Sequence, residues 1–561
     1  MSDIAEPVEV VSVRRSKTPL ILAGAVAVAL VLGIGAYVGY RFLFGGAQPA
    51  ERMPASVIAY AAIDLTPGLD QTNKLRKLLE KFPSQSGNTD PKAAIEKLLQ
   101  ELDIEGVDPK RDLASWLGLR AAVGLWLDSR DDPYAVVAVA STDDEAAKKG
   151  LTVLRDKSKA SLGFVVRDGY ALVAIGDKDA QRAADAAEAE AQKSPLAKAT
   201  KYVEARKWLA DEQLTIVYAD LSAYGRLMKS FMGKDLLEGE DPETTEQFQK
   251  MLDEQSKNFT GTVIAGARIE DDGIVSRSRS FGAKAITSGT VSDAIGKLGA
   301  LPASSEIAAV AKVPDDLDKS PFATFGLPFA LTPGLGAAGT PLTEAEQKEL
   351  EALMDKDFEG KLTDAEQKRL DELMAKMPGF GGSDLTPAQE KELDALLAKD
   401  TLTAAEQKRL EELFGGPGAG ASKAWEELFG VLSGATVTVS VAGVADKPVF
   451  RALAELTTAP SAKTVTELTK LSDGDVKVTV EGKTLTATSP SYSAAGKLAD
   501  DALFQRCVSG APANVQLAVY VNLAKAVPAK WREKLGPFKA FSVMQGTEQG
   551  DQIAVARVLI G

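Results

Sequence analysis

The amino-acid sequence predicts an α+β protein: one N-terminal transmembrane helix, then two duplicated α+β units with mixed or antiparallel sheets, the second carrying an all-helical insert. Three observations lead there. Residues 19–40 read PLILAGAVAVALVLGIGAYVGY, without a charge. Four sequence patterns of the first half recur in the same order in the second. Between residues 341 and 414 the second half is interrupted by four copies of one amphipathic helix.

Taken in order, residues 1–18 form a tail and 19–40 a stretch long enough to cross a bilayer, since a spanning helix needs roughly 20 apolar residues at about 1.5 Å each. Arg14, Arg15 and Lys17 lie just before it, which by the positive-inside bias keeps the N-terminus in the cytoplasm. The expectation is a single-pass plasma-membrane protein with the bulk of its chain extracytoplasmic. A cleaved signal peptide would carry a shorter apolar core, of about 7–15 residues. Gly35 and Gly39 stand at small-xxx-small spacing, through which two such helices could pair as a homodimer.

Composition removes several function classes. The formal net charge is -14 and no basic run follows the apolar stretch, so nucleic acid is not an expected partner. Cys507 is the single cysteine, which leaves no internal disulfide and reads as a small buried hydrophobe. Histidine is absent altogether, which excludes Ser-His-Asp and Cys-His dyads and imidazole metal sites. Carboxylate, lysine or tyrosine chemistry is left, and no nucleophile motif accompanies it. Gly482, Lys483 and Thr484 resemble the end of a phosphate loop, but the position five before Gly482 is Lys477, so the segment reads as a hairpin turn.

After a linker at 41–53, the first unit spans 54–290 and the second 301–560. The first opens on a strand at 56–65 closed by Thr66, Pro67 and Gly68. Further strands are expected at 119–127 and 134–140, a helix from Asp143, a hairpin around Asp168-Gly169, an alanine-rich helix at 179–191, a strand at 214–221 and a hairpin through Asp272-Gly273. Asp64, Asp220 and Asn522 end three of the strands. Such residues cap turns and helices through a backbone N–H bond; the alternative is a shared cleft beyond the strand ends.

The second half repeats these patterns. MPASVIAYAA from Met53 matches LPASSEIAAVA from Leu301, and the segment around Gly169 matches that around Gly482. LTIVYADLSAY from Leu214 matches VQLAVYVNLAKA, and RIEDDGIVSRSRS from Arg268 matches TEQGDQIAVARV. The surplus falls on the insert, whose four helices each begin with a capping box, as in Thr343-x-x-Glu346 and Thr363-x-x-Glu366.

With the apolar helix and the opening AYAAIDL strand in view, the chain resembles domain-of-unknown-function family 3352, anchored proteins of actinobacteria. The resemblance implies location and architecture and carries no activity. A second resemblance, to the EF-hand family, lies in DKDFEGKLTDAE at 355–366. Asp355, Asp357 and Glu359 occupy loop positions 1, 3 and 5, Gly360 the sharp turn, Lys361 offers its carbonyl, and Glu366 closes the loop as the bidentate ligand. Calcium is the one cofactor this pattern suggests. The other reading is that Glu366 serves the capping box and the aspartates solvate a turn.

Together these features predict a membrane-anchored, non-enzymatic binding or scaffold module at the cell envelope, steadied by calcium. The alternatives are a carboxylate-dependent envelope hydrolase, which needs two facing carboxylates with one pKa raised, and a binder of lipid or another apolar ligand, which needs a deep apolar cavity.

Overall fold

The computed structural model describes residues 48–64, 69–82, 106–157, 161–176, 178–209, 212–232, 250, 260–282, 289–315, 430–444, 447–470, 476–527, 532 and 536–561, with Glu349, Leu353, Glu366, Arg369 and Leu370. The chain divides into two units. The first takes residues up to Ala285 with Gly510–Ala513 and Leu535–Gly561, the second Ile286–Ser509 with Asn514–Lys534.

Hairpin chemistry dictates the sheet of the first unit. Its strands are β1 (Ala59–Asp64), β2 (Leu117–Leu127), β3 (Pro133–Ser141), β4 (Leu162–Arg167), β5 (Tyr170–Ile175), β6 (Thr215–Asp220), β7 (Thr262–Glu270) and β8 (Gly273–Phe281). Asp168 and Gly169, both at positive φ, reverse the chain between β4 and β5, and Asp271-Asp272 does so between β7 and β8. The second unit contributes β9 (Ile307–Lys312), β10 (Thr436–Ala442), β11 (Val449–Glu455), β12 (Lys477–Glu481), β13 (Thr484–Thr488) and β14 (Asn514–Val521); β15 (Phe538–Glu548) and β16 (Asp551–Ile560) belong to the first. The order in the first unit is β4-β5-β3-β2-β1-β6-β7-β8-β16-β15, and in the second β12-β13-β11-β10-β9-β14.

These orders correct the α+β class with its mixed sheets. All the strand pairs within the two units are antiparallel: tight turns join β4 to β5, β7 to β8, β12 to β13 and β15 to β16, and strands far apart in the chain, such as β1 with β6 and β9 with β10, pair in the same sense. The helices are facing layers: α1 (Leu69–Leu79), α2 (Asp144–Lys157), α3 (Ala180–Lys193), α4 (Thr200–Trp208) and α5 (Tyr224–Met232) in the first unit, α6 (Ala294–Gly299), α7 (Ala462–Lys470) and α8 (Ala502–Cys507) in the second. Among the described residues there is no all-helical insert as a unit: of 341–414 only Glu349, Leu353, Glu366, Arg369 and Leu370 are described, with Arg369 paired to Glu349 at 2.9 Å, and the rest lies outside the described residues.

The single-pass anchor and the plasma-membrane location drawn from it are corrected too. Among the described residues no helix is long and apolar enough to cross a membrane. The longest, α2 and α3, have 14 residues and reach about 21 Å, short of a hydrocarbon core of about 30 Å, and both carry charges. Residues 19–40, with Gly35 and Gly39, lie outside the described residues.

Two cores flank the first sheet. On one face Tyr60, Trp126, Tyr134, Leu172 and Tyr218 pack under α3 and α4; on the other Ile63, Trp116, Val137, Val173 and Leu151 pack under α2. The alanines of α3, Ala183, Ala184 and Ala187, let the helix approach so closely that a Cβ on Gly163 would stand 2.3 Å from the backbone of Ala180. Local contacts recur between the halves. Leu196 N–H donates to Met53 O at 2.8 Å and Leu498 N–H to Leu301 O at 2.7 Å. Tyr202 meets Tyr218 edge-on at 5.3 Å, as Phe504 meets Tyr520 at 5.3 Å.

The β8–β16 seam has local twofold character. Glu270 and Gly273 flank one hairpin turn, Glu548 and Asp551 the other, and with these turns aligned Arg277 is equivalent to Val555, the residue it faces. Ion pairs cross the seam in both directions: Arg279 binds Asp551 at 2.8 Å, and Arg557 binds Glu270.

Gln181 closes the outer edge of the sheet. Its side chain accepts from Phe164 N–H at 3.2 Å and donates to Phe164 O at 3.0 Å, which occupies outward-facing backbone groups of edge strand β4. Gln181→Ala is expected to lower stability by about 1 kcal/mol and to cause concentration-dependent self-association in sedimentation velocity. Unchanged sedimentation at high concentration would remove this role.

Candidate functional site

The site lies on the α4 face of the first unit. Pairing brings Tyr60, Tyr218 and Ile264 side by side on β1, β6 and β7, and α4 sits on them through Tyr202, with Tyr60–Tyr202 ring centroids 5.8 Å apart. Beyond the C-terminal end of α4 three hollows adjoin. A cleft of about 780 Å³ runs from Gln48 and Asp64 past Arg206 and Lys207 to Gln213. A second, of about 730 Å³, is lined by Asp70, Lys74, Glu212, Arg268 and Asp272. Between them lies a pocket of about 90 Å³ lined by Trp208, Leu209, Gln213, Gly266, Arg268, Val275 and Arg277. Gln213 and Leu209 are shared with the first cleft and Arg268 with the second, so the three form one groove.

Each wall has a local cause. Gly266 lets Gln213 and Leu209 close down on the sheet, where a Cβ would stand 2.5 Å from Gln213 Oε1. Antiparallel register sets Gly266 opposite Arg277 and Arg268 opposite Val275. The guanidinium of Arg277 lies 5.6 Å from the Trp208 ring centroid, with that of Arg279 6.0 Å from the same ring and 5.0 Å from Phe281. Arg268 binds Glu270 at 2.9 Å.

The ionisable groups around the groove are held in their charged or neutral resting forms. Burial pushes the Glu270 carboxyl up, but Arg557 and Arg268 outweigh it and leave its pKa below the usual range. A hydrogen bond from Lys74 lowers Asp70. Burial raises Tyr60, Tyr202 and Tyr218 above the ordinary phenol value, so these rings stay protonated.

The strand-end residues do not converge. Ala59 pairs with Ala219, so antiparallel β1 and β6 place Asp64 and Asp220 at opposite ends of the sheet. Asp64 binds Arg120 at 3.2 Å and accepts from Gln48 at 3.3 Å. Asp220 accepts from Ser222 N–H at 3.1 Å and Asn522 from Lys525 N–H at 3.2 Å, which are capping roles. Gly482 sits in the β12–β13 turn at positive φ, and Cys507 is fully buried.

The calcium and EF-hand readings are corrected. Among the described residues no group of three or more acidic or cysteine side chains could hold a metal ion. Asp355, Asp357, Glu359 and Lys361 lie outside the described residues; Glu366 is described, half-buried in a helix.

The groove residues carry no motif, and sequence reading passes over them. The internal repeat is the signal that finds them. With Tyr218 aligned to Tyr520 and Glu270 to Glu548, Trp208, Gln213, Arg268 and Arg277 correspond to Gly510, Val515, Gly546 and Val555. Both halves keep the aromatic pair beneath, and only the first has the polar wall.

No protein-family model matches the chain, and no curated protein matches it. Among solved structures, crystal form I of TP0453 aligns with 43% of this chain and 82% of that one at 7% identity, with a TM-score of 0.22. A similarity at that level carries no argument here.

Proposed function

We propose that the protein is a non-enzymatic ligand-binding module whose site is the groove beside Trp208. The observation that carries this is the contrast between the repeats: the residues that hold the fold recur, while the polar wall is confined to the half with the groove. A duplicated unit provides its own control, because a wall needed only for folding would be needed twice. The hydrolase alternative requires a carboxylate with a raised pKa, whereas Glu270 and Asp70 in the groove are displaced downward. Both clefts are open to solvent rather than deep, and the second is lined mostly by charged side chains, which disfavours a lipid binder.

A thermal-shift screen of small molecules against the full chain tests the reading. A true ligand raises the Tm with concentration, stabilising the fold by about 2.7 kcal/mol at a hundredfold excess over Kd, and the rise disappears in Trp208→Ala and Gln213→Ala. A ligand whose shift survives both substitutions binds elsewhere and removes the groove from the account.

A further inference from the structure

We infer that the groove takes an anionic group, a carboxylate or a phosphate, seated on the Arg277 guanidinium over the 90 Å³ pocket. This deepens the binding reading above and rests on it. The argument is one of pairing. Of the arginines near the seam, Arg268 and Arg557 bind Glu270 and Arg279 binds Asp551. Arg277 is exposed, has no carboxylate partner among the described residues, and keeps its position by lying against Trp208.

The surroundings favour an anion over other ligands. A guanidinium presents its donors in a planar fork matched to carboxylate or phosphate oxygens, and stacking on an indole fixes that fork in advance of binding. A cation would be repelled, and an apolar ligand would cover the fork without satisfying it. A pocket of about 90 Å³ suits one such group, and the flanking clefts leave room for whatever bears it. In the second half Val555 stands at the equivalent position, so the anion site is expected once per chain.

The test is a titration of the full chain with sodium acetate and with inorganic phosphate at constant ionic strength, followed by tryptophan fluorescence. A saturable change is expected with one of the two, and which one tells a planar from a tetrahedral anion. It should be lost in Trp208→Phe, which identifies the reporter, and the Kd should rise about tenfold or more in Arg277→Gln, the loss of a charge-assisted hydrogen bond. Arg277→Lys should fall between. Arg155→Gln is the matched control, since Arg155 also stacks on a ring, Phe164 at 5.5 Å, but has Asp156 at 3.3 Å; it should leave the titration unchanged. No saturable change with either anion, or an equal Kd in Arg277→Gln, overturns the inference. A thermal-shift ligand lost in Trp208→Ala but unaffected by Arg277→Gln overturns it as well and leaves the groove standing as the binding site.

Discussion

Gly150→Ala is expected to destabilise the first unit by about 3–5 kcal/mol, from overpacking together with a broken buried hydrogen bond. Gly150 lies in α2 where that helix crosses the π-helical turn Pro109–Ala114. A Cβ built on it would stand 1.7 Å from Asp112 O and 2.7 Å from Trp116 Nε1. Backbone cannot give way there as a flexible side chain could. The same carbonyl accepts the Trp116 indole N–H at 2.7 Å, and Trp116 is among the largest fully buried side chains, so the displaced turn takes the indole with it. Urea unfolding followed by near-ultraviolet circular dichroism would show a lower midpoint. Gly430→Ala, with nothing within 4 Å of its Cβ, should stay within about 0.5 kcal/mol of wild type. Equal midpoints for the two variants would mean that α2 does not lie on the turn.

Arg182→Ala should cost about 3 kcal/mol at neutral pH, the lower end of the range for stripping a buried charge of its partner. The Asp128 side chain is 1% exposed, and Arg182 reaches its Oδ2 at 2.7 Å while Oδ1 accepts N–H bonds from Arg130 and Asp132. Burial raises the Asp128 pKa, but Arg182 and the backbone donors outweigh it, and the net displacement is downward. A carboxyl depressed in the folded state contributes stability above its unfolded pKa of about 3.9, and that contribution is lost as pH falls through the folded value. Without Arg182 burial is less opposed, so the folded pKa rises and the deficit is largest where Asp128 is ionised. Urea midpoints of the two proteins should therefore differ most at pH 7 and converge below about pH 4. A deficit independent of pH would assign the loss to packing of the arginine stem instead. Asp128→Asn in the Arg182→Ala background should recover part of the loss.

Much of the secondary structure was legible residue by residue. The turns at Asp168-Gly169 and Gly482-Lys483, the strand bounds near Ala59–Asp64 and Thr215–Asp220, and the capping roles of Asp220 and Asn522 follow from local backbone preferences. The α+β class did not survive, because strand and helix periodicities were read without asking which strands pair. The antiparallel sense of strands far apart in the chain, such as β1 with β6, is a long-range choice. The anchor and the calcium loop were drawn from stretches that lie almost wholly outside the described residues, and the described helices and carboxylates supply neither.

By itself the sequence determined the absence of imidazole chemistry, the hairpins and the recurrence of patterns between the halves, since each is a property of neighbouring residues or of composition. Only the tertiary structure decided where the polar groups meet. Trp208, Gln213, Gly266, Arg268 and Arg277 come together because register across β6, β7 and β8 lays one face beside the end of α4. The same register sets Asp64 and Asp220 at opposite ends of the sheet, which rules out the shared cleft that was the alternative to capping. Side-chain position on a sheet has a period of two and is fixed by which strand lies opposite, a long-range choice that no local preference encodes.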